Sequence, residues 1–170
     1  MIESDYTLVA LRLGVATLAG MVIGFEREWR GRDAGLRTHA LVALSSAMIT
    51  ISALSLAEEL RGQGGDSDPL RVVQGLAQAI GFIAGGLIFI RGGDVQNMTT
   101  AASLWMAAAL GIAAGAGQFA LVAIASAIAL ALLAAVTLVM HLRPHPVPSG
   151  QADHDLQVPS RRGAVDRREE

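Results

Sequence analysis

Two stretches of this sequence carry no charged residue: residues 72–90, and residues 95–140, a run of 46 positions. A soluble surface cannot be built from such stretches, because much of any folded surface must be solvated. A bilayer accepts them. Across all 170 residues, 52% are hydrophobic and 16% charged, where an ordinary soluble domain carries about 25% charged residues.

A spanning helix needs about 20 mainly apolar residues. Five segments meet or approach that length, at about residues 7–25, 38–57, 72–90, 100–114 and 118–142. The fourth is short. As one helix, however, residues 95–140 would be about 70 Å long at about 1.5 Å per residue, more than twice a hydrocarbon core of about 30 Å. The stretch must fold back. Gly111-Ile-Ala-Ala-Gly115-Ala-Gly117-Gln118 is the obvious place, since Gly weakens a helix and permits turn dihedrals. The expected fold class is all-α: a polytopic transmembrane helix bundle of about five spans within residues 1–142, with four spans and a re-entrant segment as the alternative. Residues 143–170 are rich in Pro and charge and read as a disordered cytoplasmic tail, too short for a second domain.

Basic residues in short loops set orientation. The first loop holds Arg27, Arg30, Arg32 and Arg37. The second holds Arg61 and Arg71 against Glu58, Glu59, Asp66 and Asp68. The third holds Arg91, the fourth none, and the tail opens with Arg143. Loops one and three and the tail are therefore expected in the cytoplasm. Loops two and four and the N-terminus, with Glu3 and Asp5, are expected outside. Five spans satisfy every loop at once.

Several functions are excluded or disfavoured by composition. There is no Cys, which removes disulfides and Cys-based metal or redox sites. A net charge of −2 gives no nucleic-acid signal. The first six residues lack a basic region, so the first apolar segment is expected to stay in the mature protein. All 13 basic residues are Arg, which with the Ala and Gly content suggests a GC-rich bacterial genome. No phosphate loop, nucleophile–base pair or metal-ligand cluster is evident. His39, His141, His145 and His154 are scattered, and Asp153-His154-Asp155 lies in the tail, where a solvated chain is the expected reading. No cofactor is expected, and an enzyme is not.

Lipid is as apolar as Leu, so helices in it associate by close packing, which small residues permit. Three segments carry small residues four apart: Gly20–Gly24, Gly81–Gly85 and Gly111–Gly115. Packing within the bundle is the preferred reading and a homodimer face the sharper one.

Chemistry concentrates at two blocks. In the first, seven charged residues fall between Glu26 and Arg37. Glu26 with Arg30, and Glu28 with Arg32, form i,i+4 pairs if the first helix runs past the membrane. Trp29 sits at headgroup level, Gly31 and Gly35 supply the turn, and Thr38 is a candidate N-cap ahead of His39. A plain positive anchor needs neither interleaved acids nor Glu26 directly after an apolar run, so Glu26, Arg30 and Arg37 are expected to tie the loop to the bundle or to bind something. Arg12, inside the first span, is expected to snorkel to the outer surface. In the second block, Arg91-Gly-Gly-Asp94 is a tight turn, and Thr99, Thr100 and Ser103 open the fourth helix, where hydroxyls cap it or bond a neighbouring backbone.

These two blocks resemble the transmembrane domain of the MgtC/SapB family of bacterial inner-membrane proteins. Gly24-Phe25-Glu-Arg27-Glu, with Gly35-Leu-Arg-Thr-His39, is similar to the family's first motif, with Phe25 where Leu is usual. Gly81-Phe-Ile-Ala-Gly85-Gly86, with Met98-Thr-Thr-Ala-Ala-Ser-Leu-Trp105, is similar to the second, with Ala84 for Gly, Gly85 for Ala and Met98 for Leu. The resemblance covers about residues 8–140. It implies an association with growth in low magnesium and, in pathogens, survival inside host cells. It also implies a regulatory action on the membrane ATP synthase or membrane potential, and not a magnesium pump. Some family members add a small soluble domain after the spans; this sequence has only its tail there, so regulation through such a domain is not expected of it.

The leading expectation is therefore a regulatory or interaction protein of the inner membrane, with the bilayer, a second copy or a membrane protein such as the ATP synthase as partners. No Asp or Glu lies within the spans, whereas a magnesium path needs oxygen ligands. The alternative is an ion transporter or channel, with Glu26 and the Thr99–Ser103 face lining the path. Residues singled out are Glu26, Arg27, Glu28, Arg30, Arg37, Thr38, His39, Arg91, Thr99, Thr100 and Ser103.

Overall fold

A computed structural model describes residues 6–142, and the side chains of residues 6–135. The expected disordered tail and the acids of the N-terminus lie outside the described residues. The described residues form five helices: α1 (Tyr6–Trp29), α2 (Leu36–Gly62), α3 (Leu70–Leu87), α4 (Met98–Gly115) and α5 (Phe119–Leu142). The first four are long and apolar enough to cross a membrane, and α5 is apolar over Phe119–Ala135. This is the all-α polytopic bundle expected.

Three of these helices close in the same way. At the end of α4, Gln118 N–H bonds Ala113 O and Gly117 N–H bonds Ala114 O, both at 2.9 Å, with Gly117 at φ +79°. That is a Schellman closure, and its left-handed position favours Gly. The ends of α1 and α2 repeat it at Gly31 and Gly64. The long uncharged stretch thus reverses at Ala116–Gln118, leaving Gly111 and Gly115 inside α4.

One boundary differs from the sequence reading. The third apolar segment does not stay helical to residue 90. After Leu87 the chain becomes extended, and Phe89–Arg91 (β1) pairs antiparallel with Asp94–Gln96 (β2), with Arg91 opposite Asp94. Ile88, Phe89 and Ile90 favour an extended backbone. Gly92 and Gly93, both at positive φ, make the two-residue turn whose twist matches a hairpin.

The centre of the bundle is α1, α2 and α4. Gly20 and Gly24 of α1 face α2, and Gly111 and Gly115 of α4 face it from another side. A Cβ on Gly20 would stand 2.9 Å from Ala43 Cβ, and one on Gly111 would strike the Ala43 carbonyl. Backbones touch here because side chains are missing. The core beside this seam is Ala16, Ala19, Ile23, Ala47, Leu110, Ala114 and Val122. Helix α3 leans on α4 through Leu76, Ile80 and Ala84, and α5 packs on α1 and α4.

Gly81 and Gly85 do not join this packing. A Cβ on either meets nothing within 4 Å, nor would one on Gly75 or Gly86. The reading of a third glycine face inside the bundle is corrected accordingly. The physical reason is that α3 turns its Leu76–Ile80–Ala84 row toward α4, which leaves the glycines on the outer side.

Candidate functional site

The polar residues of both sequence blocks meet at one end of the bundle, where the α1–α2 loop faces the hairpin. Arg27, in the last turn of α1, is 3% exposed. Its Nη2 donates to Thr100 Oγ1 at 3.0 Å and to Thr99 Oγ1 at 3.3 Å, which ties α1 to the first turn of α4. The N-cap of α4 is Asn97, at φ +65° and without a side-chain cap bond, so the threonines accept from Arg27 and do not act as caps.

His39 ties α2 to the same turn. It is fully buried. A carbonyl only accepts, so the 2.8 Å contact of Nδ1 with Gly35 O places a proton on Nδ1. In the neutral ring Nε2 then accepts from Ser103 Oγ, 3.1 Å away. Ser103 Oγ also lies 2.9 Å from Thr100 O. Its single proton therefore faces two acceptors, and an imidazolium would release it to Thr100 O.

Ser103 and His39 form a hydroxyl–imidazole pair that the sequence reading did not anticipate, because the two residues lie 64 positions apart. The pair is sealed between helices, with Ser103 6% exposed, and a backbone carbonyl stands where a hydrolase would orient its base with an acid. The arrangement serves as a tie between helices.

Glu28 and Asp33 complete this end. Glu28 Oε2 accepts from Leu36 N–H at 2.8 Å and so caps α2. That corrects two expectations: α2 starts at Leu36 behind Gly35, so Thr38 is not its N-cap, and Glu28 does not pair with Arg32, which lies beyond the end of α1. Asn97 Nδ2 donates to Asp33 Oδ2 at 2.9 Å, joining the loop to the hairpin's exit. The tie to the bundle is made by Arg27, His39 and Asn97. Glu26 and Arg30, the latter just past the end of α1, instead pair with each other, as their spacing predicts. Glu26 Oε2 and Arg30 Nη1 are buried without a hydrogen bond. Arg37, Thr38 and Arg91 are exposed.

At the opposite end, Arg12 reaches to the α4–α5 turn. Its Nη1 donates to Gly115 O at 3.0 Å, at the C-terminal end of α4. An Arg within an apolar run needs an acceptor, and that signal could have prompted a search for one. The hairpin was likewise signalled by Gly-Gly between extended-forming residues.

Among the described residues, no group of three or more His, Cys, Asp or Glu could hold a metal ion. A small open hollow between α3 and α4, of about 10 Å³, is lined by apolar residues, among them Leu76, Ile80, Trp105 and Ile112.

The sequence profile of the MgtC family matches residues 13–142, which takes in the ties made by Arg27, His39 and Asn97 and starts one residue after Arg12. The chain belongs to the MgtC family. It is 42% identical over 113 residues to protein SapB of Bacillus subtilis, covering 65% of this chain and 49% of SapB. It is 40% identical over 125 residues to protein MgtC of Brucella abortus, covering 74% of this chain and 50% of that protein. With protein MgtC of Salmonella typhimurium the identity is 39% over 109 residues, 64% of this chain and 44% of that protein. The chain thus spans about half the length of the curated relatives it matches. No solved structure matches it. Family membership and the apolar helices together make it a multi-pass membrane protein.

Proposed function

We propose that this MgtC-family chain is a regulatory protein of the bacterial inner membrane, acting in magnesium homeostasis or membrane energetics through a protein partner. The observation that carries the reading is the centre of the bundle. There α1, α2 and α4 meet backbone to backbone at Gly20, Ala43 and Gly111, which leaves no room for a path between these three helices at that level. Polar side chains serve to fasten helices to one another at the two ends: Arg27 and His39 at one, Arg12 at the other. A packed, fastened bundle suits a protein whose outer faces are read by others. Relatives named MgtC, among them those of Brucella abortus and Salmonella typhimurium, support the magnesium part of this reading together with the low-magnesium association that the family resemblance implies.

In the proposed topology the α1–α2 loop and the hairpin face the cytoplasm, and the α2–α3 loop faces outside. Cross-linking in native membranes, in magnesium-replete and magnesium-poor cells, followed by identification of the captured protein, tests the reading. A specific membrane partner, such as an ATP synthase subunit, is the expected result. Magnesium flux in proteoliposomes that disappears with Glu26→Gln would overturn it in favour of transport.

A further inference from the structure

The first turn of α4 presents backbone donors that find no partner in the protein. Ala101 N–H is the first in the helix to find a backbone partner, on Asn97 O. Among the described residues, the N–H groups of Met98, Thr99 and Thr100 have no acceptor, and Asn97 spends its side chain on Asp33. The hydroxyls of Thr99 and Thr100 accept from Arg27, so the proton of each is left to donate elsewhere.

Arg27 supplies an independent observation. Its guanidinium is buried, is aimed at this turn, and has Nε without a hydrogen-bond partner. No carboxylate among the described residues forms an ion pair with it. The charges that act on it are Arg32, Glu26 and Arg30, two positive and one negative, and the negative one is already paired with Arg30. The other carboxylates at this end are engaged as well: Glu28 with Leu36 N–H, Asp33 with Asn97, and Asp94 in the hairpin opposite Arg91. A buried cation without a counter-charge is unfavourable. Placed at the positive end of a helix dipole, it is more so. An oxyanion seated on the turn would satisfy both features at once, because free N–H groups at a helix start with an Arg beside them are what phosphate groups bind.

We propose that the first turn of α4, with Arg27, is a binding site for a phosphate-type oxyanion. The anion is either the headgroup of an acidic phospholipid or a free phosphate. Thr99 and Met98 are exposed and give entry to it, and the Asn97–Asp33 bond forms one rim.

The test uses the full chain purified in a maltoside detergent, which carries no phosphate. Thermal unfolding is followed against inorganic phosphate at ionic strength matched with chloride, and separately against phosphatidylglycerol or a neutral glycolipid in mixed micelles. A saturable stabilisation by phosphate assigns the site to a free anion. Saturable stabilisation by phosphatidylglycerol alone assigns it to a headgroup. Either should vanish in Arg27→Gln. If that variant fails to fold, Thr99→Val, at an exposed position, decides: apparent affinity should weaken about tenfold for one lost hydrogen bond to an anion. Arg37→Gln, an exposed arginine at the same end, should leave the affinity unchanged. Absence of saturable stabilisation by either probe, or stabilisation that survives both Arg27→Gln and Thr99→Val, overturns the proposal.

Discussion

Arg12 and Arg27 both belong to α1, and they hold opposite ends of α4. Arg12 reaches the last carbonyls, at Gly115 O, and Arg27 reaches the first turn, at Thr100 Oγ1. The two helices must therefore run antiparallel, with the arginines spaced to match the length of α4. Electrically the two contacts are opposite. A cation at a helix C-terminus complements the dipole, and one at the N-terminus opposes it. Arg12→Leu should lower stability by about 1–2 kcal/mol, through loss of a hydrogen bond to charge and of the dipole interaction. Thermal unfolding in a non-ionic detergent checks this. An unchanged midpoint would mean that the Gly115 contact contributes nothing.

The three glycine pairs give an internal control. Gly111→Ala drives a methyl into the Ala43 carbonyl, and Gly20→Ala drives one against Ala43 from α1. Each should destabilise by about 1–3 kcal/mol as α2 is pushed away. Gly81→Ala and Gly85→Ala meet open space. In the monomer they should be neutral or stabilising by up to about 1 kcal/mol, because Ala is the better helix former. The four variants, compared by unfolding under one condition, should split by helix. A loss at Gly81 or Gly85 matching that at Gly111 would point to a second copy packed on α3.

That contrast marks how far the sequence could be read. Spacing showed which residues are small, and the two long uncharged runs showed that the chain lives in lipid. Neither shows which way a helix is turned about its axis. For α3 the answer came from the Leu76–Ile80–Ala84 row, whose partners lie on α4. The candidate site was legible in the same partial way. Arg27, Thr99, Thr100, His39 and Ser103 all stood in the two blocks. That Arg27 and His39 reach α4, while Glu26 and Arg30 turn to each other, depends on contacts spanning more than 60 residues. The hairpin was hidden for a simpler reason: Ile88, Phe89 and Ile90 are as apolar as a helix end, and hydropathy alone does not separate the two.

Glu28 gives a prediction about a cap. Its Oε2 accepts from Leu36 N–H from eight residues back, across the α1–α2 turn. Glu28→Ala removes the side-chain acceptor at the start of α2 and should lower stability by about 1 kcal/mol. Glu28→Gln keeps an oxygen acceptor and should recover most of that. Unfolding midpoints of the two variants check the order. Equal losses would assign the effect to charge and not to the hydrogen bond.

The Asn97–Asp33 bond makes the orientation of the chain testable at two positions. It brings the α1–α2 loop, with Arg30, Arg32 and Arg37, to the same end as the hairpin that carries Arg91. The positive residues of both connections then act together on one side of the membrane, and the positive-inside rule predicts the cytoplasm for that side. The α2–α3 connection, with Asp66 and Asp68, goes to the other. The sequence has no Cys, so single reporters can be placed without background. Arg91→Cys should resist a membrane-impermeant maleimide in intact cells and react after permeabilisation, whereas Gln63→Cys should react in intact cells. Labelling of both from outside would contradict the bundle, since α3 alone separates the two positions and is itself long and apolar enough to cross. The reverse pattern would leave the bundle intact and invert its orientation.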